Sequence, residues 1–242
     1  MRSLLLISDL SDFGPQSPAA AGLRSAADVL VLDLVSSDRD GLLRACGFVR
    51  EAKREEHRPR LFARIPVLDE SNAIAVLDAA IGAGAEGIVL PDALGGHDVT
   101  RLDARIAVEE AMHAIDHGGI KILAEAASTA RAAQGLASFR GASHRLLGLI
   151  WSAERLAAAL GGIGVFDEAG RLRAPLAHVR AEVLVAAYAA GVTPIVDATV
   201  RTGGLTAATR FARDHADGFG GWLTADPADI ETIGTIASGA RQ

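Results

Sequence analysis

The sequence predicts a single-domain (β/α)8 barrel, a TIM barrel spanning residues 1–242, and three observations carry that expectation. Eight short apolar runs recur along the 242 residues, each followed by a stretch with apolar residues at three- and four-residue spacing, the pattern of repeated βα units. The runs are apolar almost throughout, as expected for parallel strands covered on both faces. The length by itself leaves one or two domains open, and it suits one eight-fold barrel, which needs about 250 residues. Hydrophobic residues make up 50% of the chain and aromatics only 4%, so the core must be aliphatic, as in layered α/β proteins.

Taken in order, the expected strands are Leu4 to Ser8, Val29 to Leu34, Leu61 to Ile65, Gly87 to Asp92, Ile120 to Glu125, Leu146 to Ser152, Thr193 to Thr199 and Gly221 to Asp226. Between the third and fourth, Ser71 is the expected N-cap of a helix whose Ile74, Leu77 and Ile81 share one face, with Gly82 and Gly84 as stop signals. Val99, Leu102 and Ile106 begin another apolar stripe. Leu176, Val179, Val183 and Ala187 form a third, after Pro175 in the first turn. Glu51 to Arg60 mixes both signs of charge and reads as a solvated helix end. Ile230 to Ala237 is a short apolar segment that closes the barrel as its eighth helix or packs on a neighbour.

A net charge of −6 argues against nucleic acid, whose binding draws on Lys and Arg against phosphate. No run of about 18 apolar residues suggests a membrane span. Met1-Arg2-Ser3 and the short run after it, interrupted by Asp9 and Asp12, do not make a secretion signal. Cys46 is the single cysteine, which leaves no disulfide framework within the chain and fits a reducing cytoplasm.

In such a barrel, catalytic groups belong where strands end at the C-terminal mouth. The strand ends offer Ser8, Asp9, Asp33, Arg64, Asp92, Glu125 to Ser128, Ser152 to Arg155, Asp197 and Asp226. Arg64 leads, because a guanidinium there can hold a carboxylate or enolate bidentately; the alternative is an ion pair with Asp33 or Asp92. Asp92 is a general base, a metal ligand or simply a cap, and Asp197 and Asp226 carry the same ambiguity. The irregular segments, Ser8 to Ala19 with Gly14, Pro15 and Pro18 and Gly161 to Ala174 with four glycines, belong to the mouth. Gly161-Gly162-Ile163-Gly164 reads as a connection rather than a phosphate cradle, since it lacks the Walker lysine and the full dinucleotide fingerprint. The seven histidines, His57, His97, His113, His117, His144, His178 and His215, avoid the strand ends. His113 and His117, four apart, are the one pair placed to share a metal on a helix face.

Several strand-end motifs occur together in order. They are Val29-Leu30-Val31-Leu32-Asp33-Leu34, Ala63-Arg64-Ile65-Pro66, Gly84 to Pro91, Ser128-Thr129-Ala130-Arg131, Trp151-Ser152-Ala153-Glu154-Arg155-Leu156, and Trp222 to Ile230. In this order they resemble the HpcH/HpaI aldolase and citrate lyase beta-subunit family along nearly the whole chain. The resemblance implies carbon–carbon bond cleavage or formation beside a carbonyl, on a 2-oxo acid or acyl-coenzyme A substrate. It also implies a homo-oligomer, an arginine on the enolate, and Mg2+ held by a Glu after strand five and an Asp after strand six.

Of that set only the arginine carries over, as Arg64. The two ligand positions hold Ser128 and Arg155, and Val35-Ser36 replaces the acidic pair that usually follows the second-strand aspartate. Asp92 stands where lysine is common, and Asp226 where the closing strand has histidine. A hydroxyl and a cation cannot replace hard anionic ligands, so no cofactor is expected and no metal, unless Glu125 and Glu154 serve as displaced ligands. The expected substrate-binding set is Arg64, Asp33, Asp92, Ser128, Ser152 and Arg155, with Arg64 as the catalytic residue. Three functions stay open: an active lyase with altered metal dependence, a silent paralogue that binds an acidic metabolite or acyl-CoA or serves as a subunit, and other chemistry built on Asp92, Asp197 and Asp226.

Overall fold

A computed structural model describes residues 3–11, 17, 20–21, 25–199 and 206–239, with side chains to 236 in the last helix. Met1, Arg2, Asp12, Gly14, Pro15 and Pro18 lie outside the described residues, as does the side chain of Ala237. Eight parallel strands close into a barrel in sequential order, β8 pairing with β1. They are β1 (Ser3–Ile7), β2 (Val29–Asp33), β3 (Arg60–Arg64), β4 (Gly87–Ala93), β5 (Lys121–Ala126), β6 (Leu146–Trp151), β7 (Thr193–Asp197) and β8 (Gly221–Thr224). Each expected strand is present, with ends that coincide or differ by at most two residues.

The described helices are α1 (Arg39–Ala52), α2 (Ala73–Ala83), α3 (Gly96–Met112), α4 (Ala130–Gln134), α5 (Ala153–Ala159), α6 (Ala174–Ala190), α7 (Ala207–Ala216) and α8 (Pro227–Gly239). The α2 start differs from expectation. Its N-cap is Asn72, without a side-chain cap bond, and Ile74 is exposed while Ala73, Val76, Leu77, Ala80 and Ile81 are buried. The end is as expected at Gly84, whose φ of +106° is open to glycine; Gly82 stays within the helix. Val99, Leu102 and Ile106 are all buried, as are Leu176, Val183 and Ala187, with Val179 partly so. Gly161 to Ala174 is drawn together by a bridge between Phe166 and Leu172.

Strand alternation divides the core in two. Leu4, Val29, Val31, Phe62, Val89, Leu123, Ile150, Ile195 and Leu223, drawn from all eight strands, fill the interior. Their neighbours along each strand, such as Leu30, Leu61, Ile88, Ile122, Leu149 and Trp222, face the helices. Gly87 is part of this packing, because it pairs with Phe62 and a Cβ there would overlap the Phe62 ring. Gly87→Ala is therefore expected to lower stability by about 1–3 kcal/mol through overpacking. Denaturant melts should show the loss, and Phe62→Leu in the same chain should restore part of it.

Candidate active site

The interior alternation sets which side chains reach the mouth. Two residues beyond Val31, Phe62, Leu123, Ile150 and Ile195 stand Asp33, Arg64, Glu125, Ser152 and Asp197, so the top of the barrel is a polar layer resting on an apolar one. Asp33 and Arg64 are paired in register across β2 and β3. Arg64 and Glu125 are almost fully buried, at 7% exposure each, and groups so placed need partners.

They find them in one another. Arg64 meets Glu125 side-on, Nε donating to Oε1 at 2.5 Å and Nη2 to Oε2 at 3.0 Å. Its Nη1 donates to both oxygens of Asp33, at 3.1 and 3.3 Å. Arg155 approaches from the other side, Nη1 donating to Glu125 Oε2 at 2.6 Å and to Asp92 Oδ1 at 2.8 Å. The result is a chain of alternating charges, Asp33, Arg64, Glu125, Arg155 and Asp92, with Glu125 bridging two guanidinium groups. Burial acts to weaken the protonated form of Arg64, but Glu125 and then Asp33 outweigh it, so its pKa is raised and its charge is permanent.

Local backbone features aim these groups. The register between β4 and β5 shifts between Leu90 and Ala93, a bulge that Pro91, having no N–H to donate, tolerates. Within it Asp92 takes a φ of +49°, a conformation open to Asp. Ala127 has a φ of +57° while fully buried, a strained turn between Glu125 and Ser128. Arg155 lies in the first turn of α5, where the helix dipole disfavours a cation; its two carboxylate partners offset this. Ser152 caps the same helix, accepting from the Arg155 N–H at 3.5 Å.

The other expected residues are placed as follows. Ser128 is buried at the end of β5. Asp197 accepts from the N–H and hydroxyl of Thr199, and Asp226 accepts from the N–H of Ala228. Both cap turns, and among the described residues Asp92, Asp197 and Asp226 do not bring ligand atoms within 4.8 Å of one another. Glu154 lines a cavity with Trp151, Phe166, Asp197 and Arg210. His113 and His117 also part company: His113 meets Asp78, and His117 lies beside Glu110 and His144. Helix α3 ends at Met112, so the two histidines do not share a helical face. Of the two fates open to Arg64, the ion pair with Asp33 is present, joined by one to Glu125. That role of Glu125 was missed in the sequence, although its place two residues beyond an interior leucine signals an inward carboxylate.

Solved structures with the same architecture are numerous. RipC from Yersinia pestis superposes with a TM-score of 0.72 at 21% identity, over 98% of this chain and 94% of that one. CitE from Mycobacterium tuberculosis, in complex with magnesium and acetoacetate, superposes with a TM-score of 0.73 at 23% identity, over 98% and 90%. The chain shares their fold. The citrate lyase beta subunit from M. tuberculosis, complexed with oxaloacetate and magnesium, gives a TM-score of 0.70 at 24% identity, over 97% and 96%. No family model and no curated protein matches the sequence. The strand-end resemblance is thus met by a likeness of the whole fold.

Magnesium does not fit the side chains at the mouth. Ser128 and Arg155 occupy the two positions expected to hold it, and Arg155 reaches the one nearby buried carboxylate, Glu125. A magnesium ion binds oxygen at about 2.0–2.1 Å. Glu125 Oε2 already accepts from two guanidinium groups, Arg64 at 3.0 Å and Arg155 at 2.6 Å, so a magnesium ion there would have to displace a donor and face a second cation.

Proposed function

We propose that this barrel takes up a small carboxylate metabolite, of 2-oxo acid or acyl-coenzyme A type, at its C-terminal mouth, on guanidinium groups rather than on a metal ion. The observation that carries the reading is Arg155 sharing Glu125 with Arg64, a fixed positive charge where the resemblance calls for a divalent cation. The outer end of the charge chain is the exchangeable one. The Arg155 and Asp92 side chains are 36% and 44% exposed, and an exposed ion pair contributes little, about 0–1 kcal/mol. An incoming carboxylate can displace Asp92 from Arg155, while Glu125 stays bonded to both arginines below it.

A second reading, carbon–carbon bond cleavage or formation on the bound ligand, is supported by Arg64, which retains the family's enolate position behind Arg155. The working protein is read as a cytoplasmic homo-oligomer. The single cysteine, Cys46, is free and buried, and Val185 and Tyr188 are exposed apolar groups on α6. Among the described residues no helix is long and apolar enough to cross a membrane.

Calorimetry tests the binding claim. Pyruvate, oxaloacetate or acetoacetate should bind with chelator present, and Arg155→Ala should weaken binding at least tenfold, the loss of a charge-assisted pair. Stoichiometric Mg2+ or Mn2+ binding that disappears in Glu125→Gln would overturn it. Turnover of a bound 2-oxo acid or acyl thioester, abolished by Arg64→Ala, would select the lyase reading over the silent one.

A further inference from the structure

On the outer wall of the barrel, away from the mouth, three side chains from adjacent helices converge. Asp78 lies on α2, Glu109 on α3, and His113 caps the C-terminal end of α3. One ligand atom from each lies within 4.8 Å of the other two. His113 Nε2 is 2.8 Å from Asp78 Oδ1. Glu109 and His113 are four residues apart, one turn of the helix, which puts both on the side facing α2.

The backbone opposite is shaped to admit the imidazole. Gly82 is one turn beyond Asp78 on α2, and a Cβ there would stand 2.7 Å from His113 Cε1. A glycine inside a helix is destabilising by about 1 kcal/mol relative to alanine. Here it leaves the space in which the ring lies.

We propose that Asp78, Glu109 and His113 form a binding site for a divalent transition-metal ion of the Zn2+ class, strapping α2 to α3. The donor set selects the ion, because an imidazole nitrogen with two carboxylate oxygens suits Zn2+ and its neighbours rather than Mg2+ or Ca2+. In a tetrahedral site with bonds of about 2.0–2.1 Å the ligand atoms stand roughly 3.3 Å apart. Small rotations of the partly exposed side chains reach that spacing. Three protein ligands leave one position for water. An ion there crosslinks two consecutive βα units and so stabilises the folded state by mass action.

The test uses the full chain, tag-free and stripped of metal, with ZnCl2 as the probe. One equivalent should bind, and the melting temperature should rise by about 5 °C at a hundredfold excess over Kd. His113→Ala and Glu109→Gln should each weaken binding at least tenfold. His117→Ala should leave it unchanged, which separates this site from the nearby His117 and His144 rings, 5.8 Å apart. Gly82→Ala supplies no ligand and removes none, yet should abolish the thermal shift by displacing the imidazole. Binding that survives His113→Ala, or that depends on His117, would overturn the proposal, as would the absence of any thermal shift in the parent.

Discussion

Replacing Arg145 by alanine is expected to cost about 3–5 kcal/mol of stability, the range for removing one partner from a buried ion pair. Arg145 immediately precedes β6 and is fully buried. Its Nε donates to Asp103 at 2.5 Å, and Nη1 and Nη2 donate to the two oxygens of Glu110 at 2.5 and 2.7 Å. Nη1 also donates to the carbonyl of Ile120 at 3.2 Å. Glu110, on α3 and only 1% exposed, accepts in addition from the N–H groups of Gly118 and Ile120. One guanidinium thus joins α3 to the starts of β5 and β6 at the N-terminal rim, the end of a barrel that serves stability. Its loss leaves Glu110 charged, buried and without its cation. At roughly 2–4 °C per kcal/mol for a chain of this size, thermal melts followed by circular dichroism should fall by about 10 °C. A drop of less than 2 °C would sink the idea.

The same cluster sets an acid limit. Burial alone would raise the Glu110 carboxyl, but Arg145 and the two backbone N–H groups outweigh it and bring its pKa down to about 2. A carboxyl held below its ordinary value contributes stability that is complete above that value. The contribution is lost as pH falls from about 4.5 toward about 2. Without Arg145 the folded-state value rises, so acid unfolding of the variant should begin at higher pH than in the parent. Pairing Arg145→Met with Glu110→Leu should recover much of the loss, because two buried charges then disappear together.

Glu125→Ala should have the second large effect, and it acts on stability and binding in opposite directions. It removes three charge-assisted hydrogen bonds and leaves Arg64, almost fully buried, with Asp33 alone. A loss of about 3 kcal/mol is expected. At the same time the five-group chain passes from a net charge of −1 to zero, and both guanidinium groups are released toward the same space. Oxaloacetate or acetoacetate should then bind at least tenfold more tightly and restore part of the lost melting temperature. Glu125→Gln, which keeps the shape, should show the same ordering with a smaller loss. Weaker binding in both variants would overturn this expectation and mean that Glu125 holds the two arginines in the geometry the ligand needs.

The barrel was legible because its signals are local. Apolar runs, helical stripes, and the stop at Gly84 depend on neighbours a few residues away, and the expected strands match the observed ones to within a residue or two at each end. The Ser71 cap shows where local reading stops: the helix begins one residue later, after Asn72, which makes no side-chain cap bond, while Ala73 and Leu77 are fully buried. The mouth was legible in part for a similar reason. Alternation along a strand carries Asp33, Arg64 and Ser152 inward whatever the rest of the chain does.

Which of those groups would meet was beyond local pattern. Arg64 and Glu125 are 61 residues apart, Arg155 and Asp92 63, Arg155 and Glu125 30, and Arg145 and Glu110 35. Their separations follow from the closure and stagger of eight strands. The bulge that turns Asp92 toward Arg155 and the glycine that seats His113 belong to the same class. The amino-acid sequence, read alone, determines an aliphatic eight-strand barrel whose mouth carries Arg64 and lacks acidic residues at two expected metal positions, because strand and helix periodicities act over a few residues. The tertiary structure alone decides that Glu125 lies between two arginines, because a charge takes its partner from whatever the closed barrel brings within hydrogen-bonding distance.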